Sequence, residues 1–120
     1  MLVVDDNRDA AESLAMLLEL SGHLVQTVHD GPAALAAVTA WRPQAVLLDI
    51  GMPDMDGYQV AERLREGGPG DLLLIAVTGY GQDRDRGRAR QAGFDHHLNK
   101  PVELGDLQRL LVSAGAAGAT

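Results

Sequence analysis

At 120 residues and without a single cysteine, the chain has room for one sheet-and-helix core and can form neither a disulfide framework nor a thiolate metal site. Its formal charge of -7 argues against a duplex nucleic-acid surface, which needs clustered Lys and Arg to displace counterions from phosphates. No apolar run reaches membrane-spanning length and the N-terminus lacks a basic, cleavable leader, so the expected location is the cytoplasm.

Taken in chain order, the first predicted strand is the apolar run Leu2 to Val4, followed at once by Asp5 and Asp6. A helix is expected from Asp9 to Ser21, closed by Gly22, and a weaker strand from Leu24 to Val28. On the first helix, at about 100° per residue, Leu14, Leu17 and Leu18 fall on one side and are expected to face the sheet. Asp9, Ser13, Met16 and Leu20 form a separate stripe, which makes Met16 and Leu20 candidates for exposed apolar residues. Pro32 opens a second helix that runs to Ala40, and Ala45 to Leu48 forms a third strand that ends on Asp49. Asp56 stands ahead of a third helix, Tyr58 to Glu66. The glycine-rich stretch Gly67 to Gly70 has no lysine or hydroxyl at phosphate-loop spacing and reads as a flexible connection.

The fourth strand spans Leu72 to Val77 and ends on Thr78. A fourth helix is expected from Asp83 to Ala92, capped by Gly93, with Arg84, Arg86, Arg88 and Arg90 on a solvated face. A fifth strand, His96 to Asn99, leads into Lys100 and Pro101, and a fifth helix covers Glu103 to Ala114. The three strongest strands are continuously apolar rather than alternating, which is the pattern of strands with helices on both faces. Five strands alternating with five helices imply right-handed crossovers and a doubly wound α/β sheet. Trp41 and Phe94 are expected to pack in the core. The chain enters its first strand almost at once, as a domain excised from a longer polypeptide would, and the remainder Gly115 to Thr120 is too short for an output domain.

In open α/β sheets ligands bind beyond the carboxyl ends of the strands, near the point where strand order reverses. Asp5, Asp6 and Asp49 all follow strand ends, and two strands flanking such a point would bring the three carboxylates together. Converging carboxylates repel unless a cation sits among them. Mg²⁺ suits them, because it takes oxygen ligands and is commonly held by one or two carboxylates together with phosphate oxygens. Each Asp by itself is as readily explained as a turn former or N-cap; the set of three is not. Thr78 and Lys100 belong to the same edge, where a hydroxyl and an ammonium can contact phosphoryl oxygens.

The stretches Leu2-Val-Val-Asp-Asp-Asn7, Leu48-Asp-Ile-Gly-Met-Pro-Asp-Met-Asp-Gly57, Val77-Thr-Gly79 and Asn99-Lys-Pro101 resemble, in order and spacing, the receiver domains of response regulators. The resemblance spans essentially the whole chain, so residues 1–120 read as one receiver domain. It implies a flavodoxin-like five-stranded parallel sheet of order 2-1-3-4-5; the order comes from the family, and a chemotaxis receiver is the standard example of it. It further implies that Asp49 is the phosphoacceptor, that Asp6, Asp49 and the carbonyl of Gly51 bind Mg²⁺, and that Asp5 assists through a metal-bound water. Thr78 would be the switch hydroxyl, and Lys100 would pair with the phosphoryl group or, before phosphorylation, with Asp49. The Lys100-Pro101 bond is the candidate for the family's cis proline. The implied partners are a sensor histidine kinase or a histidine phosphotransfer protein, together with a homodimer formed on phosphorylation; no nucleic acid is implied.

One departure, two further features and two alternatives accompany the resemblance. His97 stands where the family commonly has a switch Tyr or Phe, and it either takes that role or simply ends an edge strand. Gly51 and Tyr80 border the family's route for the attacking water. The sequence between Asp49 and Gly57 and the ending His97-Leu-Asn-Lys-Pro-Val102 resemble receivers fused to the C-termini of hybrid sensor histidine kinases. A small-phosphoester hydrolase with an Asp nucleophile would need a cap or loop insertion that the sequence lacks. A pseudo-receiver acting only by binding would not need the acidic pair, the acceptor, the Thr and the Lys, all of which are present. Met16 and Leu20, on the helix beside Asp5 and Asp6, are the expected docking residues for the phosphodonor.

Overall fold

The computed structural model describes residues 1–52, 56–67, 72–78, 86–100 and 102–113. The expectations for Tyr80, the Lys100-Pro101 bond, the residues from Asp83 to Asp85, the stretch 68–70 and the tail 115–120 lie outside these residues. The strands are β1 (Leu2–Val4), β2 (Gln26–Val28), β3 (Ala45–Asp49), β4 (Leu73–Thr78) and β5 (His96–Asn99). The helices are α1 (Arg8–Leu20), α2 (Gly31–Trp41), α3 (Gly57–Gly67), α4 (Arg86–Ala92) and α5 (Leu104–Ser113). All strand pairs are parallel, in the order β2-β1-β3-β4-β5, as the family resemblance implies. Among the described residues no helix is long and apolar enough to cross a membrane.

Successive strand residues point to opposite faces, and both faces are covered. Leu2, Val4, Val46, Leu48, Leu74 and Ala76 join Val38, Val60, Leu64 and Phe94 in one core layer, under α2, α3 and α4. Val3, Leu47, Ile75 and Val77 join Ala11, Leu18, Leu107 and Leu111 in the other, under α1 and α5. This is why the central strands read as unbroken apolar runs. The two edge strands, covered on one flank only, are partly exposed and more polar.

Local chemistry sets the helix ends. Asn7 and Asp30 cap α1 and α2 by accepting from Ala10 N–H at 3.1 Å and Ala33 N–H at 2.7 Å. Asp56 accepts from Gln59 N–H at 3.0 Å while Gln59 accepts from Asp56 N–H at 3.1 Å, a reciprocal capping box. Pro32 falls in the first turn of α2, as expected, one residue after its start. Trp41 and Phe94 pack on the core as expected, Phe94 edge-on to Tyr58.

Two expectations need correction. Strand β2 begins at Gln26, and Leu24 lies outside it and is exposed. Leu17 is not buried against the sheet: it is 44% exposed and borders a cavity beside it. The buried side of α1 is Ala11, Ala15 and Leu18. Two alanines in that stripe limit it to a narrow arc, and Leu17 lies roughly 120° from its centre at about 100° per residue. Arg88 is exposed, as expected, and lays its guanidinium 4.2 Å above the Tyr58 ring, a cation–π contact.

Candidate functional site

The strand order places the reversal between β1 and β3, so these neighbours deliver their C-terminal ends to the same place. The register pairs Val4 with Leu48, and the residues that follow are Asp5 and Asp49. One carboxylate oxygen from each of Asp5, Asp6 and Asp49 lies within 4.8 Å of the others. Asp5 and Asp49 are buried and Asp6 is exposed. Backbone turns aim the two buried groups: Asp5 accepts from Asn7 N–H at 2.9 Å and Asp49 from Gly51 N–H at 3.0 Å. The Asp5 carbonyl accepts from His29 Nδ1 at 3.0 Å, which ties the end of β1 to the residue after β2.

On the other side, β5 pairs with β4 so that Thr78 stands opposite Asn99, and Lys100 follows. The Lys100 N–H donates to the Thr78 carbonyl at 2.7 Å. Its ammonium lies 3.0 Å from Asp5 Oδ2 and 3.4 Å from Asp49 Oδ2. The expected pairing with Asp49 is therefore shared with Asp5, which comes closer.

These surroundings set the proton affinities. Burial pushes the Asp49 pKa above the ordinary carboxylate range, and the neighbouring charge of Asp5 adds to the rise; the Gly51 N–H and the Lys100 ammonium work against both. Burial alone would lower the Lys100 pKa, but the hydrogen bond to Asp5 and the charges of Asp49 and Asp5 outweigh it and hold the ammonium above its usual value. The cluster thus carries three carboxylates and one ammonium. Its hard oxygen donors and excess negative charge fit a divalent cation of the Mg²⁺ type.

The polypeptide beyond Asp49 is held close by Gly57. A Cβ there would lie 2.5 Å from the Ile50 Cα, so only glycine lets α3 begin against the end of β3. Beside the carboxylates a largely apolar cavity of about 510 Å³ opens between α1 and the sheet. Leu14 and Leu17 line it from α1, Val3, Leu47 and Val77 from the strands, and Asp5, Asp49 and Lys100 at its polar end.

Thr78 is fully buried, and its hydroxyl lies 3.0 Å from Asn99 Oδ1 and 3.2 Å from His97 Nε2. The structure thus joins His97 to Thr78 by a side-chain contact. From sequence alone Asn99 is part of a motif and carries no assigned role, although its position opposite Thr78 follows from pairing β4 with β5. Met16 and Leu20 are exposed, at 63% and 81%, and Leu17 and Leu24 complete the large exposed hydrophobic residues among those described.

Residues 1–112 match the sequence model of the response regulator receiver domain family. The chain is 39% identical over 107 residues to the response regulator MprA of Mycobacterium ulcerans, an alignment covering 89% of this chain and 46% of MprA. The chain therefore spans about half the length of that relative. Among solved structures, the receiver domain of NtrX from Brucella abortus superposes with a TM-score of 0.81 at 30% identity, covering 99% of this chain and 98% of that one. The signal receiver domain of a signal transduction histidine kinase from Syntrophus aciditrophicus superposes with a TM-score of 0.81 at 29% identity, covering 99% and 90%.

Proposed function

The chain belongs to the response regulator receiver domain family, and on that premise we propose that it acts as the phosphoacceptor module of a two-component phosphorelay, with Asp49 as the acceptor. The observation that carries the reading is the convergence of Asp5, Asp6, Asp49 and Lys100 at the C-terminal edge of the sheet. In the transfer, an O–P bond forms at an Asp49 carboxylate oxygen as the P–N bond of a donor phosphohistidine breaks, and the imidazole leaves after taking up a proton. Asp6, Asp49 and the Gly51 carbonyl would hold Mg²⁺, with Asp5 assisting through water. When bound, the ion offsets negative charge on the phosphoryl oxygens.

The remaining steps belong to the chain itself. The Gly51 N–H orients the Asp49 carboxylate, and Lys100 is positioned to pass from its carboxylate partners to a phosphoryl oxygen. Thr78 then turns toward that group and His97 follows, which biases the surface of α4, β5 and α5. Among its described side chains α4 buries only Ala89 and Ala92, so it is weakly anchored and suited to move. The histidine-bearing partner would dock along α1, where Met16 and Leu20 are exposed and Leu17 extends their stripe. The setting is the cytoplasm, and the receiver of a hybrid histidine kinase is the parent favoured by the sequence around Asp49 and Lys100.

Incubation with Mg²⁺ and acetyl phosphate tests this reading. One acid-labile, hydroxylamine-sensitive phosphoryl group per chain is expected, and none in Asp49→Asn. Rapid turnover of many equivalents would instead mark a hydrolase. A phosphorylated Asp49→Asn variant would remove the acceptor assignment.

A further inference from the structure

A threonine hydroxyl has one hydrogen to give and two lone pairs with which to accept. Asn99 Oδ1 can only accept, so the 3.0 Å contact uses the single hydrogen of Thr78. His97 Nε2, 3.2 Å from the same hydroxyl, must then be the donor. Both bonds hold the hydroxyl on the β5 side, and Thr78 is fully buried. We propose that Asn99 is a positioning residue that latches Thr78 in the resting state and, through it, fixes the proton of the neutral His97 ring on Nε2.

The proposal rests on the reading of Thr78 as the hydroxyl that turns toward phosphorylated Asp49. For it to turn, the Thr78–Asn99 bond has to break, so Asn99 opposes phosphorylation by holding the resting conformer. The register makes this geometry specific to the position. Asn99 pairs directly with Thr78, and the next residue is Lys100, whose N–H donates to the Thr78 carbonyl. Backbone and side chain of Thr78 are thereby both tied to residues 99 and 100. Removing the Asn99 oxygen leaves the backbone tie in place and frees only the hydroxyl, whose hydrogen can then go to His97 Nε2. When it does, the neutral ring carries its own proton on Nδ1.

The ring nitrogens report this without any phosphorylation. In ¹⁵N spectra of the unphosphorylated wild type at about pH 8.5, where an imidazole is ordinarily neutral, His97 Nε2 should give a protonated, pyrrole-type signal. In Asn99→Ala it should become pyridine-type, and Asn99→Asp, which keeps an acceptor oxygen, should retain the wild-type tautomer. Phosphorylation of Asn99→Ala by acetyl phosphate should be roughly three- to tenfold faster than wild type, the effect of losing one net hydrogen bond in the resting state.

A pyridine-type Nε2 in the wild type would overturn the proposal, because it would mean that the Asn99 amide is turned to donate to Thr78. So would an Asn99→Ala protein with unchanged tautomer or unchanged rate. The wild-type spectrum decides the first point even if the variant fails to fold. If instead no phosphoryl group reaches Asp49 in any protein while the tautomers behave as expected, the phosphoacceptor reading fails and the Asn99–Thr78–His97 geometry stands.

Discussion

The two ends of the sheet each bring a cation against carboxylate, and they resolve the charge in opposite ways. At the N-terminal ends of β4 and β5, Arg65 donates to the Gly93 carbonyl at 2.9 Å, the Leu72 carbonyl at 2.7 Å and Asp95 Oδ2 at 2.7 Å. Asp95 also accepts from Leu74 N–H at 2.9 Å. Gly93, at φ 109, keeps the space clear, since a Cβ would lie 2.5 Å from Arg65 Cγ. One cation meets one anion there, with backbone groups filling the remaining positions. At the C-terminal ends, three carboxylates meet one ammonium, and two of the carboxylates are buried. A charge-balanced cluster of this kind is a brace between elements; an unbalanced one favours a bound cation.

The largest effect should come from reducing the imbalance. Asp6→Ala is expected to weaken Mg²⁺ binding by at least about tenfold and to abolish acetyl phosphate labelling, while the metal-free protein melts no lower than wild type. Equal Mg²⁺ affinities by calorimetric titration would remove Asp6 from the site. The corresponding change at the brace should do the reverse. Arg65→Met should cost about 2 kcal/mol of stability, because it strips three acceptors of a charged donor in a partly exposed setting. At saturating Mg²⁺ the folded fraction should still accept one phosphoryl group. A denaturation midpoint unchanged from wild type would refute the bracing role.

A smaller effect is expected with pH. The folded-state pKa of Asp49 is raised, chiefly by burial, so the folded protein binds its proton more tightly than the unfolded chain does. Its contribution to stability is therefore fully present below the ordinary carboxylate pKa of about 4. It is lost as pH rises through the raised folded value. Metal-free wild type should lose stability relative to Asp49→Asn across that window, and Mg²⁺ should raise the melting temperature more above the window than below it. Parallel melting curves for the two proteins would show that Asp49 is not strained by its surroundings. The smallest effect concerns the surface beside the unbalanced end. Replacing both Met16 and Leu20 with Ser should slow phosphotransfer from the cognate phosphohistidine protein severalfold, with acetyl phosphate labelling unchanged. Equal slowing with both donors would point to damage at the site rather than lost docking.

How much of this could be read in advance follows from the range of each interaction. The caps at Asp56, Gly22 and Gly93 and the alternation of strands and helices depend on neighbours a few residues away, and they appear where the sequence places them. The three acidic residues were legible because each directly follows a predicted strand, and parallel strands deliver such residues to one edge. The exposure of Met16 and Leu20 was likewise legible from helical spacing, whereas Leu17 was not. Its environment depends on how closely Ala11 and Ala15 let the helix approach the sheet, which spacing alone does not encode.

The sequence by itself determined the βα alternation, the two-faced burial of the central strands and the set of residues that end them, because local propensity and periodicity suffice for these. The strand order came with the family's motifs rather than from the pattern. Only the tertiary structure decided that Lys100 leans nearer to Asp5 than to Asp49, that Asn99 holds the hydroxyl of Thr78, and that Arg65 closes the opposite end. Each of these contacts joins residues brought together by the register of neighbouring strands or the packing of a helix on them. A few tenths of an ångström in that packing choose the partner, and no local signal in the chain carries that information.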